Sequence, residues 1–304
     1  MNTLLDRVLL YSTSNLTISL IFSNYVLPFP FTLFPISSTF LSSFIPTGTW
    51  SSHVIASGDS FTKVEGIDSS NTNNDAVALG ASAVSPIVSA KLLLNYVTTK
   101  SGDSIVQSGA DSLIGQAIVQ LAVTKGLRSI NIARGSPAGG WAAFSEHLQG
   151  VGATAVVSEE QAARHTFRRL LADLAPPVLG LNGTGGSSAG IVAKSLAQNA
   201  TLVSYGSASA SGGRSSALQV PLSLFTHKNL TLKGFSVARA LETSAKTARD
   251  ADVREAVASA VTGRVKLLIS REPFTDFKAV LPKALAAVSS GKDNVAQRTV
   301  VLTF

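Results

Sequence analysis

The segment that most constrains the fold runs from residue 104 to residue 135 and reads SIVQSGADSLIGQAIVQLAVTKGLRSINIARG. A short apolar run at 104–107 is followed by a cluster of small residues, an amphipathic helical pattern over 113–126 and a second apolar run at 129–133. A strand, a tight turn, a helix and a second strand in this order are typical of a βαβ unit. The segment therefore predicts a parallel sheet with helices packed against it.

Helix-like and strand-like windows continue to alternate from about residue 80 to residue 235. The strand-like windows are short and rich in Val, Ile and Leu, as in parallel sheets that are buried on both faces. The expected strands lie at 104–107, 129–133, 155–157, 178–181, 201–205 and 230–235. The expected helices lie near 85–98, 113–126, 141–150, 160–173, 187–198 and 218–227. The pattern predicts an α/β fold with a Rossmann-type doubly wound parallel sheet.

The rest of the chain is too short for a further independent domain on its C-terminal side. A helix near 245–262, a helix near 275–289 and a final strand in RTVVLTF are expected there. We expect this tail to pack with the residues before 84.

Composition excludes several functions. The 304 residues contain no cysteine, so disulfides and thiolate metal sites are absent. The four histidines show no metal-ligand spacing, so we expect no metal and set a zinc alcohol dehydrogenase aside; they are His53, His147, His165 and His227. The net charge of +7 would permit nucleic-acid binding, but the basic residues are dispersed and no aromatic residues alternate with them. No nucleic-acid partner is expected.

The N-terminal residues 1–52 carry only two formal charges, Asp6 and Arg7. The run 9–27 has the length of a transmembrane helix but contains many polar residues, and prolines follow it. It lacks the basic start of a secretory signal and the arginines of a mitochondrial presequence. We favour a segment that is not an evolved folding unit and leave residues 1–45 unassigned, with membrane association as the alternative.

The turn after the first strand has the small residues that a dinucleotide-binding loop requires. Such a loop places them at positions i, i+2 and i+5, which here are Ala110, Ser112 and Gly115. This A-x-S-x-x-G form is degenerate, and Ser112 could simply be a helix N-cap. Asp111 lies inside the turn, where a carboxylate either repels a pyrophosphate or interacts with the helix N-terminus. We expect Asp111 to bind cofactor less well than Asn would.

Arg134 lies at the end of the second predicted strand, where the type of dinucleotide is decided. NAD sites place Asp or Glu there against the ribose 2′-hydroxyl, whereas NADP sites place Arg there for the 2′-phosphate. A guanidinium matches a phosphate in charge and geometry. An arginine that only caps the strand end is the alternative, but the missing acid favours NADPH over NADH in either case.

Several stretches together resemble the mitochondrial trans-2-enoyl-CoA or enoyl-[acyl-carrier-protein] reductases, which are zinc-free members of the medium-chain dehydrogenase/reductase superfamily. Besides the segment 104–135, they are GTWSSHVIAS at 48–57, LNGTGG at 181–186, TLVSYGSAS at 201–209 and LTLKGFSVAR at 230–239. The resemblance covers about residues 46–304. It implies an NADPH-binding Rossmann domain at 85–235 and a reduced GroES-like β domain, the remnant of the family's catalytic domain, at 46–84 and 236–304.

The resemblance also implies the site residues. The implied cofactor contacts are Ser85, Asp111, Ser112, Leu113, Ile114, Arg134, Gly135, Ser136, Tyr205, Gly206, Ser207, Ala208, Phe235, Ser236, Val237, Ala238 and Arg298. Ser85 and Asp111 stand where the family usually has Asn, and Arg298 stands where it has Lys. The family's catalytic tyrosine lies in a GNY…LP stretch, which SNYVLPFP at 23–30 resembles, so Tyr25 is the catalytic candidate.

Family members transfer a hydride from NADPH to the β carbon of an enoyl thioester, and a tyrosine supplies the proton. The resemblance therefore implies a mitochondrial reductase of fatty acid synthesis whose substrate is carried by acyl carrier protein or CoA, and which forms a homodimer. Most of the N-terminal β domain is expected to be missing, so a non-catalytic NADPH-binding remnant is the main alternative. A quinone-reductase-like NADPH oxidoreductase and a membrane-anchored protein are further alternatives.

Overall fold

The computed structural model describes residues 7–9, 20–22, 32–36, 39–43, 55–57, 61–64, 74–134, 141–207, 217–273 and 300–303. They divide into two compact units. The sheet unit consists of the described residues within 89–236, and the second unit consists of the described residues within 7–88, 237–273 and 300–303.

The secondary-structure elements are numbered in chain order. The strands are β1 (Arg7–Leu9), β2 (Leu20–Phe22), β3 (Thr32–Ile36), β4 (Thr39–Ser43), β5 (Ile55–Ser57), β6 (Phe61–Val64), β7 (Ser104–Ser108), β8 (Arg128–Ala133), β9 (Ala155–Ser158), β10 (Leu179–Asn182), β11 (Thr201–Ser204), β12 (Thr231–Gly234), β13 (Ser270–Pro273) and β14 (Val300–Thr303). The helices are α1 (Asn74–Leu94), α2 (Leu113–Thr124), α3 (Trp141–Gly150), α4 (Glu159–Ala162), α5 (Thr166–Ala172), α6 (Gly186–Ser195), α7 (Leu222–Lys228), α8 (Val237–Thr243) and α9 (Lys246–Val261).

The sheet unit contains a six-stranded sheet in the order β12-β11-β10-β7-β8-β9, and every neighbouring pair of its strands is parallel. The chain therefore enters the sheet at β7, continues outward through β8 to β9, and then returns to the other side of β7, where β10, β11 and β12 follow in order. This is the strand order of a doubly wound sheet, whose direction reverses between β7 and β10. The predicted α/β Rossmann-type fold is confirmed.

The inner strands are apolar because the sheet buries them on both faces. Every residue of β7 is buried, and Ile105, Val106, Ile130 and Ile132 are fully enclosed. Burial of each such side chain contributes about 1.5–3 kcal/mol, which favours β-branched residues in these strands. On one face, Val106, Ile130 and Ile132 belong to a core cluster that also contains residues of α6 and Leu202 of β11.

Two buried amides interrupt this apolar core and hydrogen-bond each other. Gln107 Nε2 of β7 donates to Asn131 Oδ1 of β8 at 2.7 Å and to the Gly115 carbonyl at 2.9 Å. Asn131 Nδ2 donates in turn to the carbonyls of Ser129 and Ala155, each at 3.0 Å. The two amides therefore connect β7, β8, β9 and the start of α2.

The boundaries of the six strands lie within two residues of the predicted ones. The helix predicted at 160–173 is two helices, α4 and α5, because the chain turns between them at 163–165. Helix α8 was not predicted, and α1 begins at Asn74, well before residue 85, with Pro86 inside it. The helix predicted near 275–289 lies outside the described residues.

The second unit has short sheets in the orders β3-β4-β6, β13-β14-β2 and β1-β5. Within it, Asp250 of α9 accepts a hydrogen bond from Thr62 Oγ1 of β6 at 2.6 Å and from Lys246 Nζ at 2.8 Å. None of the helices in the described ranges is both long enough and apolar enough to cross a membrane.

Candidate dinucleotide-binding site

The turn between β7 and α2 is tight because Gly109 adopts a left-handed conformation with φ +75°. Beyond it, the Ala110 N–H donates to the Ile132 carbonyl of β8 at 3.1 Å, and the Ser112 N–H donates back to the Gly109 carbonyl at 3.0 Å. Ser112 is the N-cap of α2, since its Oγ accepts from the Gly115 N–H at 3.1 Å. The residue in the left-handed region is therefore Gly109, one position before the pattern that starts at Ala110.

Gly115 is required for the close approach of α2 to the turn. A Cβ atom added at Gly115 would lie 2.4 Å from the Gly109 carbonyl oxygen and 2.6 Å from Ala110 Cα. Only glycine fits such a contact with backbone, which is the role of the last small residue in a dinucleotide-binding loop. The sequence pattern identified this residue, although it missed Gly109.

Asp111 and Arg134 form an ion pair at the carboxyl ends of β7 and β8. The Arg134 backbone N–H donates to Asp111 Oδ1 at 3.1 Å, Arg134 Nε donates to Oδ2 at 3.1 Å, and Nη2 lies 2.9 Å from the same oxygen. The Asp111 side chain is 0% exposed, and the Arg134 side chain is 21% exposed. A carboxylate buried this completely is stable as a charge only because a cation and a backbone donor are paired with it.

Tyr205 follows β11 and points its hydroxyl group toward this pair. The hydroxyl donates to the Ser108 carbonyl at 3.3 Å. Burial raises the pKa of Tyr205 well above its usual range, and the negative charge of Asp111 raises it further, outweighing a hydrogen bond with Ser112 and the charge of Arg134. Tyr205 is therefore an uncharged phenol that places no second negative charge beside Asp111.

Asn182 joins the ends of the three central strands. Its Oδ1 accepts from Ser108 Oγ at 3.1 Å and from the Gly185 N–H at 2.9 Å, and its Nδ2 donates to Ser204 Oγ at 2.9 Å. The residues Ser108, Asn182 and Ser204 end β7, β10 and β11. This network, which sequence reasoning missed, fixes the loops that leave the sheet at its switch point.

The segments that follow β10 and β11, together with β12, line a cavity of about 250 Å³ at the same edge of the sheet. Its lining residues are Gly185, Ser204, Gly206, Ser207, Leu218, Leu232, Lys233 and Gly234. Beside it, Gly206 and Gly183 approach so closely that a Cβ at Gly206 would lie 2.6 Å from the Gly183 carbonyl oxygen. Doubly wound sheets bind their ligands in this kind of crevice, at the carboxyl ends of strands around the switch point.

Thr184 provides a second indication that a polar ligand belongs here. It is 1% exposed, and within the described part of the chain its Oγ1 has no hydrogen-bond partner. Its Cγ2 lies 3.5 Å from the position of a Cβ at Gly109, so it lies against the turn. A buried hydroxyl without a partner is costly unless a ligand or water satisfies it.

The residues present fit a dinucleotide. The N-terminus of α2 and the glycine-containing turn suit a pyrophosphate, and Arg134 suits a phosphate on the adenosine ribose. The cavity beside β11 and β12 leaves room for the remainder of a dinucleotide. Across the described ranges, no group of three His, Asp or Glu side chains could hold a metal ion.

The structure brings many of the sequence-predicted residues to one edge of the sheet unit. The residues placed there are Asp111, Ser112, Leu113, Ile114, Arg134, Tyr205, Gly206, Ser207, Phe235 and Ser236. Three others belong to the second unit: Ser85 lies in α1, and Val237 and Ala238 begin α8. The remaining candidates fall outside the described residues; they are Tyr25, Gly135, Ser136, Ala208 and Arg298.

The fold and the site together define a dinucleotide-binding protein of the doubly wound α/β class. No protein-family profile matches the chain. The mitochondrial enoyl-[acyl-carrier-protein] reductase of Arabidopsis thaliana is 32% identical over 243 residues, which are 79% of this chain and 60% of that protein. The chain is a relative of the mitochondrial enoyl-[acyl-carrier-protein] reductases, as the sequence resemblance predicts, and it spans less than two thirds of the length of that relative.

Solved structures support the fold. A mutant of Etr1p in complex with NADP and crotonyl-CoA superposes with a TM-score of 0.74 and 22% identity, over 90% of this chain and 79% of that chain. The Etr1p/Etr2p heterodimer of the mitochondrial 2-enoyl thioester reductase from Candida tropicalis gives a TM-score of 0.71 at 22% identity, with the same coverage of 90% and 79%.

Proposed function

We propose that this protein is an NADPH-dependent reductase of trans-2-enoyl thioesters in mitochondrial fatty acid synthesis. The observation that carries the proposal is Arg134, which stands at the end of β8 beside the glycine turn of a doubly wound sheet. The name of the Arabidopsis relative and the NADP and crotonyl-CoA in the Etr1p structure support the same activity, the same cofactor and a mitochondrial location.

The residues of the sheet unit would hold the cofactor along one edge. Arg134 would bind the 2′-phosphate, the N-terminus of α2 after Ser112 would bind the pyrophosphate, and Thr184 Oγ1 would donate to a cofactor oxygen. Tyr205, Gly206 and Ser207 would lie along the remainder of the cofactor beside the cavity. When bound, NADPH supplies the hydride.

The substrate side is proposed from the resemblance. An enoyl thioester carried by acyl carrier protein or CoA is the substrate, and Tyr25 donates the proton. The assignment of 46–84 and 236–304 to a GroES-like domain that carries this substrate remains a prediction. We also propose, from the resemblance, that the protein forms a homodimer; the related 2-enoyl thioester reductase is a heterodimer of Etr1p and Etr2p, which supports pairing of two such chains.

A second candidate function is NADPH binding without turnover. The expected loss of most of the N-terminal β domain, which carries the family's catalytic tyrosine, favours it, as do the departures from the family's residues at Ser85 and Asp111. The two candidates make the same prediction for cofactor binding and opposite predictions for consumption of the cofactor.

The test is a titration of the full-length chain with NADPH and NADH, followed by nicotinamide fluorescence, with crotonyl-CoA then added to the same cuvettes. We expect NADPH to bind more tightly and to be consumed. Tyr25→Phe should lower kcat at least tenfold and leave NADPH binding unchanged, whereas the matched control Tyr11→Phe should have no effect on either. NADPH that binds and persists would identify the non-catalytic candidate, and absence of dinucleotide binding would refute both.

A further inference from the structure

The Asp111–Arg134 pair holds a carboxylate against the guanidinium at the end of β8. The residue at this position determines whether doubly wound proteins prefer NAD or NADP. Asp111 comes from the turn after β7, and Arg134 comes from the end of β8, 23 residues later. Both are fixed, since the carboxylate contacts the backbone N–H and the guanidinium of the same arginine. The negative charge of Asp111 therefore offsets the positive charge of Arg134 at short range, and the carboxylate itself is shielded from water.

The pair changes what the arginine can offer to a 2′-phosphate. Asp111 Oδ2 contacts the Nε and Nη2 side of the guanidinium, which is one of the sides that form forked contacts with phosphate oxygens. The arginine is also no longer an uncompensated positive charge. A 2′-phosphate must therefore bind to a neutral ion pair, whereas the 2′-hydroxyl of NADH gains nothing from the cation and loses nothing when the cation is neutralised.

Repulsion between Asp111 and the pyrophosphate cannot produce the same effect. The pyrophosphate is common to NADH and NADPH, so a carboxylate that acts on it changes both dissociation constants by the same factor. A carboxylate that acts through Arg134 changes the dissociation constant of NADPH alone. The ratio of the two constants therefore separates the two mechanisms.

We propose that Asp111 is a specificity-determining residue that lowers the preference of this protein for NADPH over NADH, because it holds and neutralises Arg134. This inference rests on the proposed function as a dinucleotide-binding protein. It assigns Asp111 a role that differs from a direct cofactor contact, since Asp111 acts on the cofactor through the guanidinium.

The experiment compares the dissociation constants of NADPH and NADH, measured by fluorescence titration, for the full-length wild type, Asp111→Asn and Asp103→Asn. The control removes an acid before β7, at the opposite edge of the sheet, where Asp103 accepts from the Lys100 N–H. We expect Asp111→Asn to bind NADPH about tenfold more tightly and NADH within about threefold of the wild type. The ratio for Asp103→Asn should equal that of the wild type.

Two further variants keep the inference testable. Asp111→Ser also removes the carboxylate. It is used in place of Asp111→Asn if that variant does not show the cooperative unfolding of the wild type. The double variant Asp111→Asn with Arg134→Gln should lose the gain in NADPH affinity, because the amide carries no charge for the 2′-phosphate.

The outcomes separate this inference from the proposed function. If the wild type binds neither dinucleotide, the proposed function fails and the inference fails with it. If the wild type binds NADPH but removal of the carboxylate leaves the ratio unchanged, or tightens both dinucleotides equally, only the inference is overturned.

Discussion

Each of the two units contains an acid that is paired with cations, and the two clusters differ in how they are built. In the sheet unit, Asp111 is completely buried and its partner Arg134 comes from a different strand. In the second unit, Asp250 is 14% exposed, and its cations Lys246 and Arg254 lie one helical turn away on α9. The first cluster depends on the sheet being assembled, whereas most of the second forms within one helix.

The difference has a thermodynamic consequence. Burial alone would raise the pKa of Asp250, but hydrogen bonds from Lys246 and Thr62 and the charges of Lys246 and Arg254 outweigh it and lower the pKa. Water still screens that cluster. Asp111 has no such access to solvent, so loss of its cation would leave an unpaired charge inside the protein.

The largest effect is expected from removal of the buried cation. Arg134→Met should lower the free energy of unfolding by about 3–5 kcal/mol, because the buried Asp111 carboxylate then loses the cation that is paired with it. The measurement is urea denaturation of this variant, the wild type and a double variant. Replacing both residues, as Asp111→Asn with Arg134→Met, should recover most of the loss. A loss below about 1 kcal/mol in the single variant would contradict the burial of Asp111.

A smaller effect should come from the backbone that holds the first cluster. Gly115→Ala should destabilise the protein by about 1–3 kcal/mol, because the new Cβ would meet the Gly109 carbonyl oxygen and Ala110 Cα. Gly150→Ala is the matched control, since a Cβ at Gly150, the last residue of α3, meets no atom within 4 Å. Thermal denaturation should place the control within about 0.5 kcal/mol of the wild type. Equal effects of the two substitutions would show that α2 does not pack tightly on the turn.

The cluster of the second unit should contribute less and should depend on pH. Asp250→Ala should cost about 1 kcal/mol at neutral pH, through loss of the hydrogen bonds from Thr62 and Lys246. The folded-state pKa is lowered, so the contribution is present above the ordinary carboxyl pKa and is lost as the pH falls through the folded-state pKa. Stability curves of the wild type and the variant should therefore converge below about pH 4. Glu242→Gln, on α8 of the same unit, serves as a control, and parallel curves would contradict the lowered pKa.

The smallest effect should come from an exposed pair. Glu160 of α4 and Arg164, four residues later in the turn before α5, form an ion pair, and their side chains are 63% and 64% exposed. Glu160→Gln should change stability by only about 0.3–0.5 kcal/mol, and 1 M salt should remove the difference. A loss comparable to that of Arg134→Met would mean that burial does not govern the strength of these pairs.

The sequence predicts the sheet well because its strands carry local signals. Alternating elements, apolar runs and small residues near 109–115 are enough to place β7, α2 and β8. The place of Arg134 at the carboxyl end of a strand could also be predicted, because Arg134 directly follows an apolar run.

Other features depend on contacts that are distant in sequence. The pairing of Asp111 with Arg134 arises because β7 and β8 are neighbours in register, with Ser108 opposite Ile132. The network around Asn182 needs the position of β10 beside β7, which only the folded sheet defines. Gly109 was missed for a local reason, since the pattern of small residues at i, i+2 and i+5 is met only when it is counted from Ala110, and Gly109 lies one position before it. Helix α8 is only seven residues long, so its periodic pattern is weak, and it was missed although Ser236 directly precedes it.

The buried contact between Gln107 and Asn131 bears on how the chain avoids misfolding. Hydrophobic strands alone allow a parallel neighbour to slide by two residues and still present the same face to the core. Such a slide would separate the two amides and leave several buried donors and acceptors without partners, at about 1–3 kcal/mol for each group. The two amides thus penalise shifted pairings of β7 and β8 during folding, and they widen the energy gap between the native sheet and its nearest competitors.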